Sequence, residues 1–195
     1  MKKFFIALFT VILFSTLASA EATPVRIARL PIIFQSTLPD EETCAELETK
    51  ITRAVHIPLN GTLQLADYLP PEDSAQVLND LWQEIHSQNK KAKLQDAMRP
   101  LAQKLDADII VCPVLKDYGQ VVMPAAWNET ILHSYVCVEL IVFDRRDDTL
   151  TDKKAAQSYN DSYHPHGSAA QLSKICFDRV IDDSKLRQLI HDIRN

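Results

Sequence analysis

Leu101-Ala102-Gln103-Lys104-Leu105-Asp106-Ala107-Asp108-Ile109-Ile110-Val111-Cys112-Pro113-Val114-Leu115 changes its period in the middle, and that change decides the fold. To the left, Leu94, Met98, Leu101 and Leu105 recur at the spacing of one helical face. To the right, apolar residues continue without alternation between charged ends, and their β-branched content predicts a central strand over 108–118, buried on both faces. Pro100 falls inside the helical pattern, where proline costs about 3 kcal/mol. A kink or a fresh helix start is expected there.

Upstream, residues 25–34 predict a first strand with Ala28, Leu30, Ile32 and Phe34 on one face and Val25, Ile27 and Ile33 on the other. Asp40 is placed to cap a helix whose stripe is Cys44, Leu47, Ile51 and Val55. Asn60-Gly61 forms a turn before a short strand at 63–69, which Pro70-Pro71 stops. Ser74 is the expected cap of a helix lined by Val77, Leu78, Leu81, Trp82 and Ile85.

Downstream, residues 131–143 predict a long strand with Leu132, Val136, Val138, Leu140 and Val142 on one face and His133, Tyr135, Cys137 and Glu139 on the other. A charged turn at 144–148 leads into a mostly polar edge strand at 153–163. Ser168 opens a last helix carrying Leu172, Ile175, Cys176, Ile181 and Leu189. The order β-α-β-α-α-β-β-β-α predicts an α/β (α+β) fold, a single mixed sheet of about five strands with helices packed against it.

Residues 1–20 read as a secretory signal peptide. Lys2 and Lys3 form a positive start, 4–17 an apolar stretch, and Ala18-Ser19-Ala20 a cleavage site. Cleavage leaves 21–195 as a single α/β domain with no stable membrane anchor; retention as an anchor is the other reading. The first cysteine is Cys44, so a lipid-bearing cysteine at the cleavage point is not expected. Loss of the two lysines moves the formal charge from −5 to −7, far from the basic footprint of nucleic-acid binding.

Only three glycines occur, Gly61, Gly119 and Gly167. Phosphate loops and nucleophile elbows depend on glycine, so P-loop, Rossmann and α/β-hydrolase chemistry is disfavoured. The four cysteines, Cys44, Cys112, Cys137 and Cys176, are candidates for disulfides in an exported protein. Buried free thiols explain them as well, and none forms a CxxC zinc half-site. If a hairpin, and not a longer excursion, joins their strands, Cys112 lies nearly opposite Cys137; Cys44 meets Cys176 if their helices share a sheet face.

Three phrases carry a resemblance: residues 26–33 in the opening strand, 101–111 as quoted, and the strand at 136–144 that ends in Asp before a turn. Together they resemble the amino-terminal domain of TolB and the α/β domain of CsgG-type bacterial envelope proteins. That resemblance implies binding or assembly at the envelope, without catalysis or cofactor, and another envelope protein as partner. The chain departs from both groups. It is too short for TolB's propeller, lacks CsgG's lipid-bearing cysteine, and has Asp147-Asp148 where relatives often place glycine. No binding residue carries over.

His164-Pro165-His166 is the metal candidate, with Asp161 nearby, because extended backbone sends both imidazoles to one side. A solvated loop is the plainer explanation. Cys137 and His133 are four residues apart on one strand, roughly 13 Å, too far for a thiolate–imidazole pair; Cys112 opposite His133 is the remaining geometry. The acid pairs Asp106 and Asp108, Asp147 and Asp148, and Asp182 and Asp183 read as solvated groups. Met123, Pro124 and Trp127 form the candidate interaction loop, since aromatic anchors favour interfaces. The expected function is an exported, periplasmic or secreted, non-enzymatic binding module. The alternative is an extracytoplasmic enzyme or metal-binding protein using His164 and His166.

Overall fold

The computed structural model describes residues 23–124 and 129–193, so the leader and Trp127 lie outside the described residues. One mixed sheet of six strands organises the chain. The strands are β1 (Val25–Arg29), β2 (Ile33–Phe34), β3 (Ala66–Leu69), β4 (Ile109–Pro124), β5 (Thr130–Asp144) and β6 (Thr149–Ser162). Their order is β3-β1-β4-β5-β6, with β2 paired to β4. β1 runs parallel to β3 and β4, while β4, β5 and β6 form an antiparallel meander. The central place of Ile109, Ile110 and Val111, all fully buried, is the one expected from their unbroken apolar run.

Helices cover both faces. α1 (Glu41–Val55), α5 (Ala169–Asp183) and α6 (Leu186–Asp192) pack Leu47, Ile51, Phe177, Val180 and Ile190 onto Val136, Val138 and Leu140. α3 (Pro71–Gln88) and α4 (Leu94–Leu105) pack Leu78, Leu81, Met98 and Leu101 onto Ile110, Cys112, Ile141 and Phe143. α2 (Asn60–Leu63) is a single turn before β3. Asp40 caps α1 as expected, its carboxylate accepting from the Thr43 N–H at 2.9 Å.

Several expectations change. The first strand breaks into β1 and β2: Pro31 has no N–H to donate, and the Ile32 N–H donates to Glu48 Oε1 at 2.7 Å. Ile32 therefore joins the α1 side while Ala28 and Leu30 face α3 and α4. α3 begins at Pro71, whose fixed φ suits a first helical position, and Ser74 lies buried inside, donating to the Pro70 carbonyl. Pro100 is accommodated within one helix, α4. The last helix divides where Lys185 takes a left-handed conformation, φ 55°, and Phe177 and Val180 fill the core in place of exposed Ile175.

All four cysteines are free thiols. The β4–β5 register places Cys112 opposite Ile141 and Cys137 opposite Asp117, correcting the facing arrangement expected for the two. Four ladder steps separate their positions, roughly 13 Å. The same register removes Cys112 from His133, which faces Val121 and Asn160. α1 and α5 do share a sheet face, but Cys44 sits at the edge of that layer, its thiol donating to the Pro39 carbonyl, while Cys176 is buried in the core.

Candidate functional site

A break in strand pairing builds the site. Between Leu115 and Asp117 the β4–β5 register shifts by one residue, so Lys116 has no partner in the ladder. Such bulges re-aim side chains. Here Lys116 Nζ reaches Glu139 Oε2 on β5 at 3.0 Å. Lys154 on β6, opposite Glu139 in register, places its Nζ 3.0 Å from Oε1. Gln95, in the first turn of α4, donates to Glu139 Oε1 at 3.0 Å and to Asp152 Oδ2 at 2.8 Å.

The Glu139 side chain is only 4% exposed. A carboxylate this deep needs several polar partners to offset its lost hydration, and two ammonium groups and an amide supply them. The Glu139 hydrogen bond is the main cause holding the Lys154 ammonium above the ordinary lysine range, so it stays charged throughout the physiological interval.

This cluster lines a cleft of about 970 Å³ between the sheet and the start of α4. Its apolar walls come from Leu30, Ile33, Leu78, Trp82, Leu94 and Leu150. Trp82 is steadied by His86, their ring centroids 4.3 Å apart. Large, mostly apolar clefts with a few convergent polar groups are the usual form of small-ligand sites. Lys116, Lys154 and Trp82 were not among the site residues read from sequence, and Glu139 was noted only for its strand face. The available signal was Glu139 itself, a charge in the middle of the apolar run 136–142.

The candidate interaction residues are placed in part. Met123 and Pro124 end β4 and are exposed, while Trp127 lies outside the described residues. Just before them, Val121 is 57% and Val122 49% exposed, on opposite faces of the strand. The sequence also missed these two valines.

His164 is extended and precedes a 3₁₀ turn at Pro165–Gly167 that contains His166, so the backbone does not stay extended through both histidines. Their rings stack at 4.8 Å, and His164 Nδ1 accepts the His166 N–H at 3.2 Å. Among the described residues no group of three or more His, Cys, Asp or Glu is arranged to hold a metal ion. Of the expected solvated acids, Asp106 is largely exposed and Asp108 part-buried, and the two share Arg145: its Nη1 donates to Asp106 and its Nη2 to Asp108, each at 2.9 Å. Arg26 closes the cluster, its Nη1 on Asp106 and its backbone N–H on Asp108. These contacts fasten β1 and the β5–β6 turn to the start of β4.

Burial is the first cause raising the thiols of Cys44, Cys112, Cys137 and Cys176 above the ordinary cysteine range. Such thiols are poor nucleophiles.

No family model and no curated protein matches the sequence. Solved structures with a similar fold include the hypothetical protein CT253 of Chlamydia trachomatis, at 13% identity, covering 86% of this chain and 98% of that one, TM-score 0.48. Lipoprotein GNA1162 of Neisseria meningitidis is similar at 18% identity over 82% of this chain and 99% of that one, TM-score 0.36. The C-terminal domain of LpoB from Salmonella enterica is similar at 11% identity over 73% and 90%, TM-score 0.32. Among the described residues no helix is long and apolar enough to cross a membrane.

Proposed function

We propose that this chain is an exported, non-enzymatic binding module of the bacterial cell envelope, and that another envelope protein docks on the outer end of β4. The observation that carries the reading is the exposure of Val121, Val122, Met123 and Pro124 in succession, on both faces of one strand. Consecutive exposed apolar residues are uncommon on a soluble surface and mark contact sites. An acidic chain with an apolar strand end suits a protein surface better than a nucleic acid. The sequence that joins β4 to β5 adds Trp127, an anchor type favoured at interfaces.

Export rests on the signal-like leader at residues 1–20. The non-enzymatic reading is supported by the raised thiols, the scarce glycine and the engagement of Asp106 and Asp108 by arginines. The test is crosslinking in intact cells, followed by envelope fractionation and identification of what the mature chain retains. Val121→Lys/Met123→Lys should lose the retained protein while keeping the parent's melting profile. Equal retention by this variant would move the contact elsewhere, and recovery of the chain solely in the cytoplasm would overturn export.

A further inference from the structure

We infer that the cleft beneath Trp82 is a binding site for a single-chain amphipathic carboxylate, with its acid group at Lys116 and Lys154 and its apolar body along Leu30, Ile33 and Trp82. This site is separate from the β4 end and does not depend on the docking reading.

Three features lead to that chemistry. First, the cleft is two-sided in character: its charged end is built by β4, β5, β6 and Gln95, and its remaining walls are mainly apolar, with Gln35, Asn79 and Lys93 among them. Leu150 stands at its edge nearly half exposed, an apolar side chain with room for a partner. A ligand must therefore offer one charged end and one apolar body.

Second, the sign of the charge is readable. Lys93, Lys116 and Lys154 outnumber Glu139 and Asp152 by one along the cleft, a net positive lining in a chain whose total is −5. One carboxylate balances it; a phosphate dianion overshoots. Third, the lysines have donors to spare. Each ammonium carries three N–H groups. Lys116 makes one ion pair, to Glu139, and Lys154 makes two, to Glu139 and Asp152. Both remain partly exposed, at 33% and 50%. Glu139 thus acts as a positioning residue: it is nearly inaccessible and holds the two ammonium groups beside the cleft. The overall negative charge of the chain opposes long-range attraction of an anion, so the apolar body supplies most of the affinity and the lysines supply selectivity.

The experiment uses Trp82 as reporter in a Trp127→Phe background, which leaves one tryptophan. Dodecanoate, dodecyl phosphate, dodecyltrimethylammonium and dodecyl maltoside are titrated below their micelle concentrations. Dodecanoate should shift Trp82 emission saturably, about tenfold more tightly than the cationic and neutral probes. Each methylene removed should weaken it roughly fourfold. Leu150→Ser should weaken every probe. Lys116→Met/Glu139→Leu/Lys154→Met removes both lysines without leaving the Glu139 carboxylate buried and unpaired, and should erase the preference for the anion with the melting temperature retained. Equal binding of all head groups, tighter binding of dodecyl phosphate, or no response of Trp82 to dodecanoate would each overturn the assignment.

Discussion

Glu139 and Lys116 form an ion pair, Oε2 to Nζ at 3.0 Å, that exists because a bulge leaves Lys116 outside the β4–β5 ladder. The two partners are unequal: the carboxylate is buried and the ammonium partly exposed. Removing one is therefore not equivalent to removing the other. Glu139→Gln leaves lysines that water can reach, and should cost about 1–2 kcal/mol. Lys116→Ala/Lys154→Ala leaves a buried carboxylate with Gln95, and should cost about 3 kcal/mol or more. Denaturant melts of the two variants at neutral pH check the ordering.

The cluster at the start of β4 makes a prediction in acid. The Arg145 hydrogen bond is the largest cause holding the Asp106 carboxyl below its ordinary range, with Arg26 next. A carboxyl depressed on folding adds stability that is complete above its unfolded value and is lost as pH falls through its folded one. Asp106→Asn should melt below the parent at pH 7, and the gap should close as pH drops under about 4. Thermal melts across that interval measure it.

Thiol accessibility gives a third test. Burial raises all four thiols, so none reacts quickly in the native state. Four equivalents should appear after denaturation without reductant. Native protein should react slowly at Cys44 and Cys137, and at Cys112 and Cys176 only on unfolding. Recovery of fewer than four thiols from freshly purified protein would contradict the free state.

Gly167 has no room for a side chain. A Cβ there would collide with the ring of Tyr159, whose hydroxyl is held by donation to the Ser162 carbonyl at 2.8 Å. Gly167→Ala should cost about 1–3 kcal/mol through overpacking. Adding Tyr159→Leu should recover part of that loss, so the two effects will not sum.

The core elements were legible because they obey local rules. The run through Ile109 and Val111 belongs in mid-sheet on composition alone, and Asp40 caps α1 through its own side chain. The bulge at Lys116 follows no local pattern; it arises from how β4 and β5 align over their whole length. The cleft was hidden for the same reason, since Leu30, Trp82, Gln95, Glu139 and Lys154 come from distant segments. Ile32 was misplaced because alternation assumes an unbroken strand, and Pro31 breaks it. The exposed end of β4 was half legible: Met123 and Pro124 were read as a contact loop, but Val121 and Val122 lie beyond the strand expected at 108–118, and their exposure follows from β4 continuing to Pro124.

The proposed role at the envelope is tested most directly by a photo-crosslinking amino acid placed at Met123 in living cells, with Glu72 on α3 as the control position. Position 123 should give a discrete adduct with another envelope protein, and position 72 none. No adduct from 123, or the same adduct from both, would contradict that role.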